Sequence, residues 1–302
     1  MQFIFRKFSV SLAFKELPTH YKPSNIYDLN TFPKHYEDFI SKLGSEYPGY
    51  NDPTYMNWVK KVRNAPSIIG KVNKVEYNSD HIQTWSTLYS KLRKLHYKFA
   101  CEEHTENLKE LEDYDIISAN EVPNFAKINK YLKQKSGFQM VNVGGMVEPR
   151  IFLYGLAFKV FYSTQYIRHK SVPFYSPEPD IVHEIMGHVP MLANKEFARF
   201  SQEIGRKALG ASDDVIDVLG KVYFFTVEFG ILSDKVLGAG ILGSCKELEH
   251  VGTGKGKIEE WNLGKVVKQD LTLSDYQPQY VDVGSLSNLK DIFAEVNDYL
   301  NL

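Results

Sequence analysis

A single, mainly α-helical domain with a few short β-strands is what this sequence predicts, and three observations carry the prediction. Trp85, Leu88, Leu92, Leu95 and Phe99 recur at i, i+3, i+7, i+10 and i+14, the apolar stripe of an amphipathic helix packed on a core. Cap signals open several further helices, whereas few segments alternate apolar and polar residues as half-buried strands do. The chain of 302 residues is long enough to bury its core without disulfide or metal staples, so the aromatics of the stripe read as core.

Taken in order, residues 1–46 are expected to form an irregular N-terminal arm, because Pro18, Pro23 and Pro33 break any long element. Met1 to Phe14 places cations beside apolar residues, as a signal peptide does. Yet Phe8, Val10, Leu12 and Phe14 alternate with Ser9, Ser11 and Ala13, and no small-residue cleavage site follows, so secretion is not expected. From 47 to 302 no repeat or linker divides the chain, which predicts one domain. Helices are expected at 123–135, at 195–208 with Asn194 as cap and Phe197, Phe200 and Ile204 inward, and at 213–229. In the last of these Ser212 would be the cap, with Asp213 and Asp214 at the positive end of the dipole. A final helix at 286–300 should follow Ser285 and bury Leu289, Ile292, Phe293, Val296 and Leu300; Gln279 to Val283 is the best strand.

A formal net charge of −1 gives no electrostatic case for nucleic acid or an anionic membrane as partner. The short clusters Lys60-Lys61-Val62-Arg63 and Lys255-Gly256-Lys257 are expected to be solvated surface. No run approaches the roughly 18 apolar residues of a membrane span. Cys101 and Cys245 cannot build a disulfide framework and suit a reducing cytoplasm.

The chemistry concentrates in Asp180-Ile-Val-His-Glu-Ile-Met-Gly-His-Val-Pro190. Upstream, Ser176-Pro177-Glu178-Pro179-Asp180 predicts a helix start, and Gly187 with Pro190 predicts its stop, giving a short helix over 177–187. His183 and His188 lie five apart, not four as in the zinc-protease pattern. On an ideal α-helix that spacing separates them by roughly 140°, too far to share a metal. Two devices would bring them together: an exit from the helix through Gly187, or a π-bulge that widens one turn. The expected third ligand is Glu228, a carboxylate flanked by Val227 and Phe229, which needs a cation or metal if buried. Two histidines and one carboxylate form the facial triad of non-haem Fe(II) oxygenases, but zinc hydrolases use such a set as well, and ligand type alone does not choose.

In several ordered stretches the sequence resembles the pterin-dependent aromatic amino acid hydroxylases, the family of the phenylalanine, tyrosine and tryptophan enzymes. The matching segments are Tyr47-Pro-Gly-Tyr-Asn-Asp-Pro-Thr-Tyr55, Thr84-Trp85, Gly155-Leu-Ala-Phe-Lys-Val-Phe161, Thr164-Gln-Tyr-Ile-Arg-His169, Ser176 to Asp180, His183-Glu-x-x-Gly-His-Val-Pro190, Phe200 to Gly205, Phe225-Thr-Val-Glu-Phe-Gly230 and Gly238-Ala-Gly240. They run in family order over about 47–300. The resemblance implies a helical catalytic domain of that type, with iron on His183, His188 and Glu228. It also implies that a reduced pterin, tetrahydrobiopterin or a relative, and O2 as co-substrate meet at Fe(II), one oxygen atom going to the pterin and the other to the substrate ring. Glu184 is then no hydrolytic base but reaches the pterin through water.

For the pterin, the resemblance assigns Phe152 to ring stacking, the loop Gly145-Met146-Val147 to backbone contacts, and Tyr223 to the same site. For the substrate it assigns Arg168 to the amino acid carboxylate, which a guanidinium fork meets bidentately. Asp180 orients that arginine, and Ser176, Pro177, Phe224 and Gly243 line the site. Departures from the family are Tyr162 and Pro149, where relatives have His and Ser near the pterin, and Gly243, where a Ser supports a metal histidine; Ser244 follows as a substitute.

Phe224 and Phe174 resemble the tryptophan enzymes, Leu273 argues against tyrosine, and Val143 does not favour tryptophan. Phenylalanine hydroxylation is the expected activity, with tryptophan 5-hydroxylation or mixed specificity as the alternative, since one apolar group in a pocket discriminates by only about 1–3 kcal/mol. A zinc hydrolase on the same three ligands is the rival from another class, and a non-catalytic pterin- or amino-acid-binding relative is a third. A monomer or weak dimer is expected.

Overall fold

The computed structural model describes residues 22–31, 38–271 and 276–301. The strand periodicity at 8–14, Pro18, Pro33 and Leu273 lie outside the described residues. The described part of the expected arm is not wholly irregular. It holds a 3₁₀ turn at Ile26–Asn30 capped by Asn25, the short helix α1 (Phe39–Leu43), and another 3₁₀ turn at Gly44–Glu46. Leu29 is fully buried in the main core.

Next come α2 (Pro53–Arg63), capped by Asp52, and α3 (Ser79–Phe99), capped by Asn78. The expected stripe of α3 is inward: Trp85, Leu88, Leu92 and Leu95 are buried, and the Trp85 indole donates to Ser118 O at 2.7 Å. Helices α4 (Glu102–Asp113) and α5 (Phe125–Lys135) follow. Strand β1 (Gln139–Val143), helix α6 (Pro149–Ala157) and strand β2 (Val160–Thr164) form a crossover unit whose strands pair in parallel, Gln139 opposite Val160 and Val143 opposite Thr164. These strands escaped the sequence reading because they are buried on both faces, so Gln139, Asn142, Ser163 and Thr164 fall among apolar residues without regular alternation.

Beyond β2 the structure corrects the expected helix over 177–187. Ser176 does not cap a helix; its hydroxyl donates to Glu178 O at 2.6 Å in an irregular segment. The helical path begins at Ile181, and Asp180 receives the first N–H groups, His183 N on its carboxylate and Glu184 N on its carbonyl. Nor does Gly187 stop it. A π-helical turn over His183–His188 runs directly into α7 (Val189–Ala193), where Pro190 sits in the first turn. Gly187 is there for close approach: a β-carbon would come within 2.6 Å of Ala239 O.

Helix α8 (Lys195–Ala208) has the predicted span and the predicted Asn194 cap, which accepts from Glu196 N and Phe197 N. The helix expected over 213–229 is divided into α9 (Asp213–Tyr223) and a second π-helical turn, Phe224–Glu228; Ser212 sits at its start without a side-chain cap bond. Strands β3 (Gly230–Leu232) and β4 (Lys235–Val236), helices α10 (Ala239–Leu242) and α11 (Cys245–Gly252), β5 (Ile258–Glu260), α12 (Leu263–Val266) and β6 (Tyr280–Asp282) lead to α13 (Leu289–Leu300). The four strands make one sheet in the order β4-β3-β6-β5, with β3–β4 antiparallel and the other pairs parallel. In α13, Leu289, Ile292 and Val296 are buried, and Phe293 and Leu300 pack partly buried against them.

The basic cluster at 60–63 is only partly solvated. Lys60 and Lys61 are exposed, but Arg63 turns in to pair with the fully buried Glu178 carboxylate and lies 4.7 Å over the Tyr166 ring. Lys255 and Lys257 are exposed as expected. Cys101 and Cys245 are both free and buried.

Two histidines, His96 on α3 and His104 on α4, lie in the core with no exposed surface, their rings edge to face at 4.5 Å. Burial pushes the His104 imidazole down from 6.5 to about 4, and burial together with the neighbouring His104 holds His96 well below its usual value. A depressed histidine is neutral in the folded chain and takes up its proton on unfolding, so its stabilisation is full above pH 6.5 and is lost as pH falls towards 4. The urea midpoint is therefore expected to fall between pH 7 and pH 5, with His104 alone accounting for roughly 2 kcal/mol. Replacing both histidines by glutamine should flatten that slope; an unchanged slope in the double variant would assign the acid lability elsewhere.

Candidate metal centre

In a π turn the backbone bond spans five residues, so side chains five apart share a face. The bonds are in place: Val189 N donates to Glu184 O in the first π turn, and Phe229 N donates to Phe224 O at 2.9 Å in the second. Of the two devices considered for His183 and His188, the widened turn is the one the fold uses. It also brings Glu228, the last residue of the second π turn, to the same point.

His183 Nε2 and His188 Nε2 stand 3.0 Å apart. Glu228 Oε1 is 3.2 Å from His188 Nε2, and Oε2 is 3.7 Å from His183 Nε2. Among the described residues this is the group of His, Cys, Asp and Glu side chains suited to hold a metal ion, its ligand atoms all within 4.8 Å of one another. Donors at right angles about a metal with bonds of roughly 2.1 Å are about 3.0 Å apart, and tetrahedral ones about 3.4 Å, so the donor set fits a first-row divalent ion.

Two of the three groups are already in the form that ligation needs; burial opposes the charged form of His188, but Glu228 beside it raises that imidazole, so His188 would give up a proton on binding a metal. Burial and the adjacent His188 lower the His183 imidazole to about 4, leaving it neutral. Burial works against the ionised carboxylate of Glu228, yet His188 and His183 beside it hold it below the usual carboxylate range. No Lys or Arg pairs with Glu228 among the described residues, so a salt bridge to such a cation is not its role. His188 Nδ1 is buried without a hydrogen-bond partner; packing on the Phe161 ring, centroids 4.5 Å apart, orients this imidazole instead.

The ligand group opens on a cavity of about 460 Å³ lined by His183, Glu228, Arg168, Ser176, Pro177 and Phe224. Phe174, Phe229, Met146, Gly243 and Gln277 are also among its walls. A larger groove of about 850 Å³ beside Tyr89 and Arg93 is shallow and holds no such ligand set. In the cavity, Arg168 is buried and bound on one edge by Asp180: Nε donates to Oδ2 at 2.8 Å and Nη2 to Oδ1 at 2.6 Å. Burial opposes the Asp180 charge, but Arg168 holds the carboxyl below its ordinary value. The expected orienting pair is thus formed, and it is not a surface ion pair.

Three comparisons bear on this arrangement. A family profile described as biopterin-dependent aromatic amino acid hydroxylase matches residues 20–301. The chain belongs to that family. It is 37% identical over 276 residues to phenylalanine-4-hydroxylase of Bos taurus, covering 89% of this chain and 61% of the relative. To tryptophan 5-hydroxylase of Xenopus laevis it is 36% identical over 280 residues, covering 90% and 58%. The chain thus spans about three fifths of the length of these curated relatives. A crystal structure of Chromobacterium violaceum phenylalanine hydroxylase with bound iron(III) and oxidised 7,8-dihydrobiopterin superposes with a TM-score of 0.68 at 30% identity, covering 75% of this chain and 84% of that one.

In this hydroxylase-family chain a run of ring contacts connects Phe152, one of the residues expected at the pterin, to the ligand group. Phe152 on α6 lies edge to face with Tyr223 at 5.2 Å and with Phe161 at 5.7 Å, and Phe161 reaches His188. Glu184 is buried behind the turn, its Oε1 accepting Thr164 N at 2.8 Å and Thr164 Oγ1 at 3.1 Å, and burial raises its carboxyl to about 7. Of the loop at 145–147, Gly145 is buried and Val147 half-buried, and Met146 between them is the residue that lines the cavity.

The departures now have physical content. At Gly243 a β-carbon would come within 2.7 Å of His183 Cα, so this backbone packs directly on the ligand residue and leaves no room for a serine. Ser244 caps α11, accepting from Glu247 N at 3.3 Å. Tyr162 lays its ring on Gly155, where a β-carbon would be 2.8 Å from Cε2. Sequence reasoning missed Glu178, Glu247 and Gln277. Glu247 is buried and accepts the Tyr280 hydroxyl at 2.6 Å and Gln277 N at 3.2 Å beside the cavity, contacts that join segments thirty residues apart and leave no local signature.

Anaerobic addition of Fe(II) or Co(II) to metal-free protein is expected to raise its melting temperature, by an amount equivalent to about 2.7 kcal/mol at a hundredfold excess over Kd. Glu228→Ala should abolish the shift; an equal shift in that variant would place the metal elsewhere.

Proposed function

We propose that this chain is a tetrahydropterin- and O2-dependent non-haem iron monooxygenase that hydroxylates the ring of an aromatic amino acid, L-phenylalanine first, giving L-tyrosine. One observation carries the reading: the convergence of His183, His188 and Glu228 in a cavity whose wall also holds Arg168. Family membership and the resemblance to phenylalanine hydroxylases support it. Phe224 and Phe174 in the cavity favour L-tryptophan as second substrate, since a phenyl wall leaves more room than a bulkier indole would.

Iron, reduced pterin and dioxygen would supply the oxygen-transfer chemistry when bound. The protein's own groups bind and orient. Asp180 occupies the Nε/Nη2 edge of the Arg168 guanidinium, and Nη1 makes only a long 3.5 Å contact to Pro173 O, so Nη1 and the second N–H of Nη2 would grip the substrate carboxylate through charge-assisted bonds. Phe174, Phe224 and Phe229 exclude water around the substrate ring, Phe224 and Phe229 lying 4.6 Å apart. Ser176 and Pro177 shape the mouth, and Gly243 keeps the wall close to His183. On the pterin side Phe152 offers a ring face, and Gly145, Met146 and Val147 offer backbone groups. Tyr223 lies against Phe152, and Glu184, with Oε1 held by Thr164, keeps Oε2 to exchange a proton through water.

Residues 47–302 would be the catalytic unit, with Leu29 of the preceding stretch packed into its core. No helix among the described residues is long and apolar enough to cross a membrane. Two free buried cysteines suit a reducing compartment such as the cytoplasm, and a near-neutral charge offers no electrostatic attraction for nucleic acid or an anionic membrane.

The test is to load Fe(II) anaerobically, add tetrahydrobiopterin and air, offer phenylalanine, tryptophan and tyrosine separately, and identify products by chromatography. Tyrosine from phenylalanine, dependent on both O2 and pterin, is expected. Turnover of an ester or amide with zinc and without pterin would instead support a hydrolase. Arg168→Lys should raise KM for the amino acid by roughly 10- to 100-fold, the loss of one charged hydrogen-bond pair, with a smaller change in kcat.

A further inference from the structure

The metal-bearing turn contains a carbonyl that its own helix cannot serve in the ordinary way. Pro190 has no N–H, so Met186 O lacks the donor that an α-helix places four residues on. His104 supplies one from α4: its Nε2 lies 2.8 Å from Met186 O. One turn further along α4, Asn107 Nδ2 donates to Pro190 O at 2.9 Å. A second carbonyl, Leu242 O, belongs to the last residue of the short α10, where helical partners run out. His96 Nε2 meets it at 2.8 Å. Leu242 is followed by Gly243, whose Cα packs on His183, and α10 also carries Ala239 O against Gly187.

Because each Nε2 faces a carbonyl oxygen, each must carry the proton, and the two Nδ1 atoms, buried without partners, are bare lone pairs. Both rings are fully buried and touch edge to face. Nothing at these positions reaches the cavity or the ligand atoms.

We propose that His104 and His96 are positioning residues of the metal centre: a paired brace that hydrogen-bonds the backbone of the π turn and of the segment packed on His183, and so sets how closely His183 and His188 converge. The proposal rests on the metal-centre reading above. The brace acts through backbone carbonyls, so the hydrogen bond and not the ring volume is what matters.

Glutamine and methionine have nearly the same length, and only the first has a donor. His104→Met is expected to weaken Co(II) affinity of the full chain tenfold or more, measured by chelator competition, and to shift the visible absorption bands of the Co(II) form. His104→Gln should stay within about threefold of wild type with unshifted bands, the range expected when the outer hydrogen bond is kept. His96→Met should move affinity and spectrum in the same direction as His104→Met. A folded His104→Met, judged by far-ultraviolet circular dichroism, with wild-type affinity and spectrum would overturn the proposal; so would equal losses in the Gln and Met variants, which would indicate packing alone. Should His104→Met not fold, His104→Asn, whose amide stops one bond short of Met186 O, takes its place in the comparison with Gln. Wild-type protein that binds neither Co(II) nor Fe(II) would sink the metal-centre reading itself, whereas normal binding in all variants sinks only this inference.

Discussion

Two helical turns that each close with one residue too many determine the centre of this molecule. A π turn is a poor arrangement for a backbone left to itself, and it persists where the surroundings over-determine it. Here the surroundings are specific. Gly187 lets α10 press on the first turn, and the side chains of that turn from Glu184 to His188 are buried. The second turn is a run of buried aromatics, Phe224 and Phe225, joined to Thr226 and Val227. Widening both turns puts two imidazoles and a carboxylate on one point.

The segment that carries Arg168 has little regular structure, and tyrosine hydroxyls hold it. Tyr77 donates to Gln165 O at 2.7 Å, Tyr55 to Ile167 O at 3.0 Å, and Tyr166 to Pro179 O at 2.8 Å. Tyr47 and Arg63 meet the buried Glu178. Phenols here serve as backbone ties as well as core side chains. These ties also place Asp180 so that a buried ion pair, which gives little net stability, serves to aim the guanidinium.

How much of this was legible depended on whether the signal was local. The α3 stripe, the span and Asn194 cap of α8 and the inward face of α13 were read correctly because periodicity and capping are properties of a few adjacent residues; α13 itself starts three residues later than expected, after a 3₁₀ turn at Leu286–Asn288. The helix expected over 177–187 was misplaced for an equally plain reason: Ser176, Pro177 and Glu178 form a start signal in sequence, but Tyr47, Arg63 and Tyr166 claim Glu178 and its neighbours from elsewhere in the chain. Tertiary partners outbid a local cap. Arg63 was read as surface for the same reason, since its partner lies on a distant segment.

The amino-acid sequence by itself determined the ligand types, their spacing, the mainly helical class and the family resemblance, because these depend on residue identity and order. Only the tertiary structure decided that the spacing of five is accommodated by a π turn and not by a helix exit, that Glu228 completes the group, and that Arg168 is already held on one edge. Each of those outcomes is a choice between local alternatives of similar energy, and packing by distant elements such as α4 and α10 is what separates them.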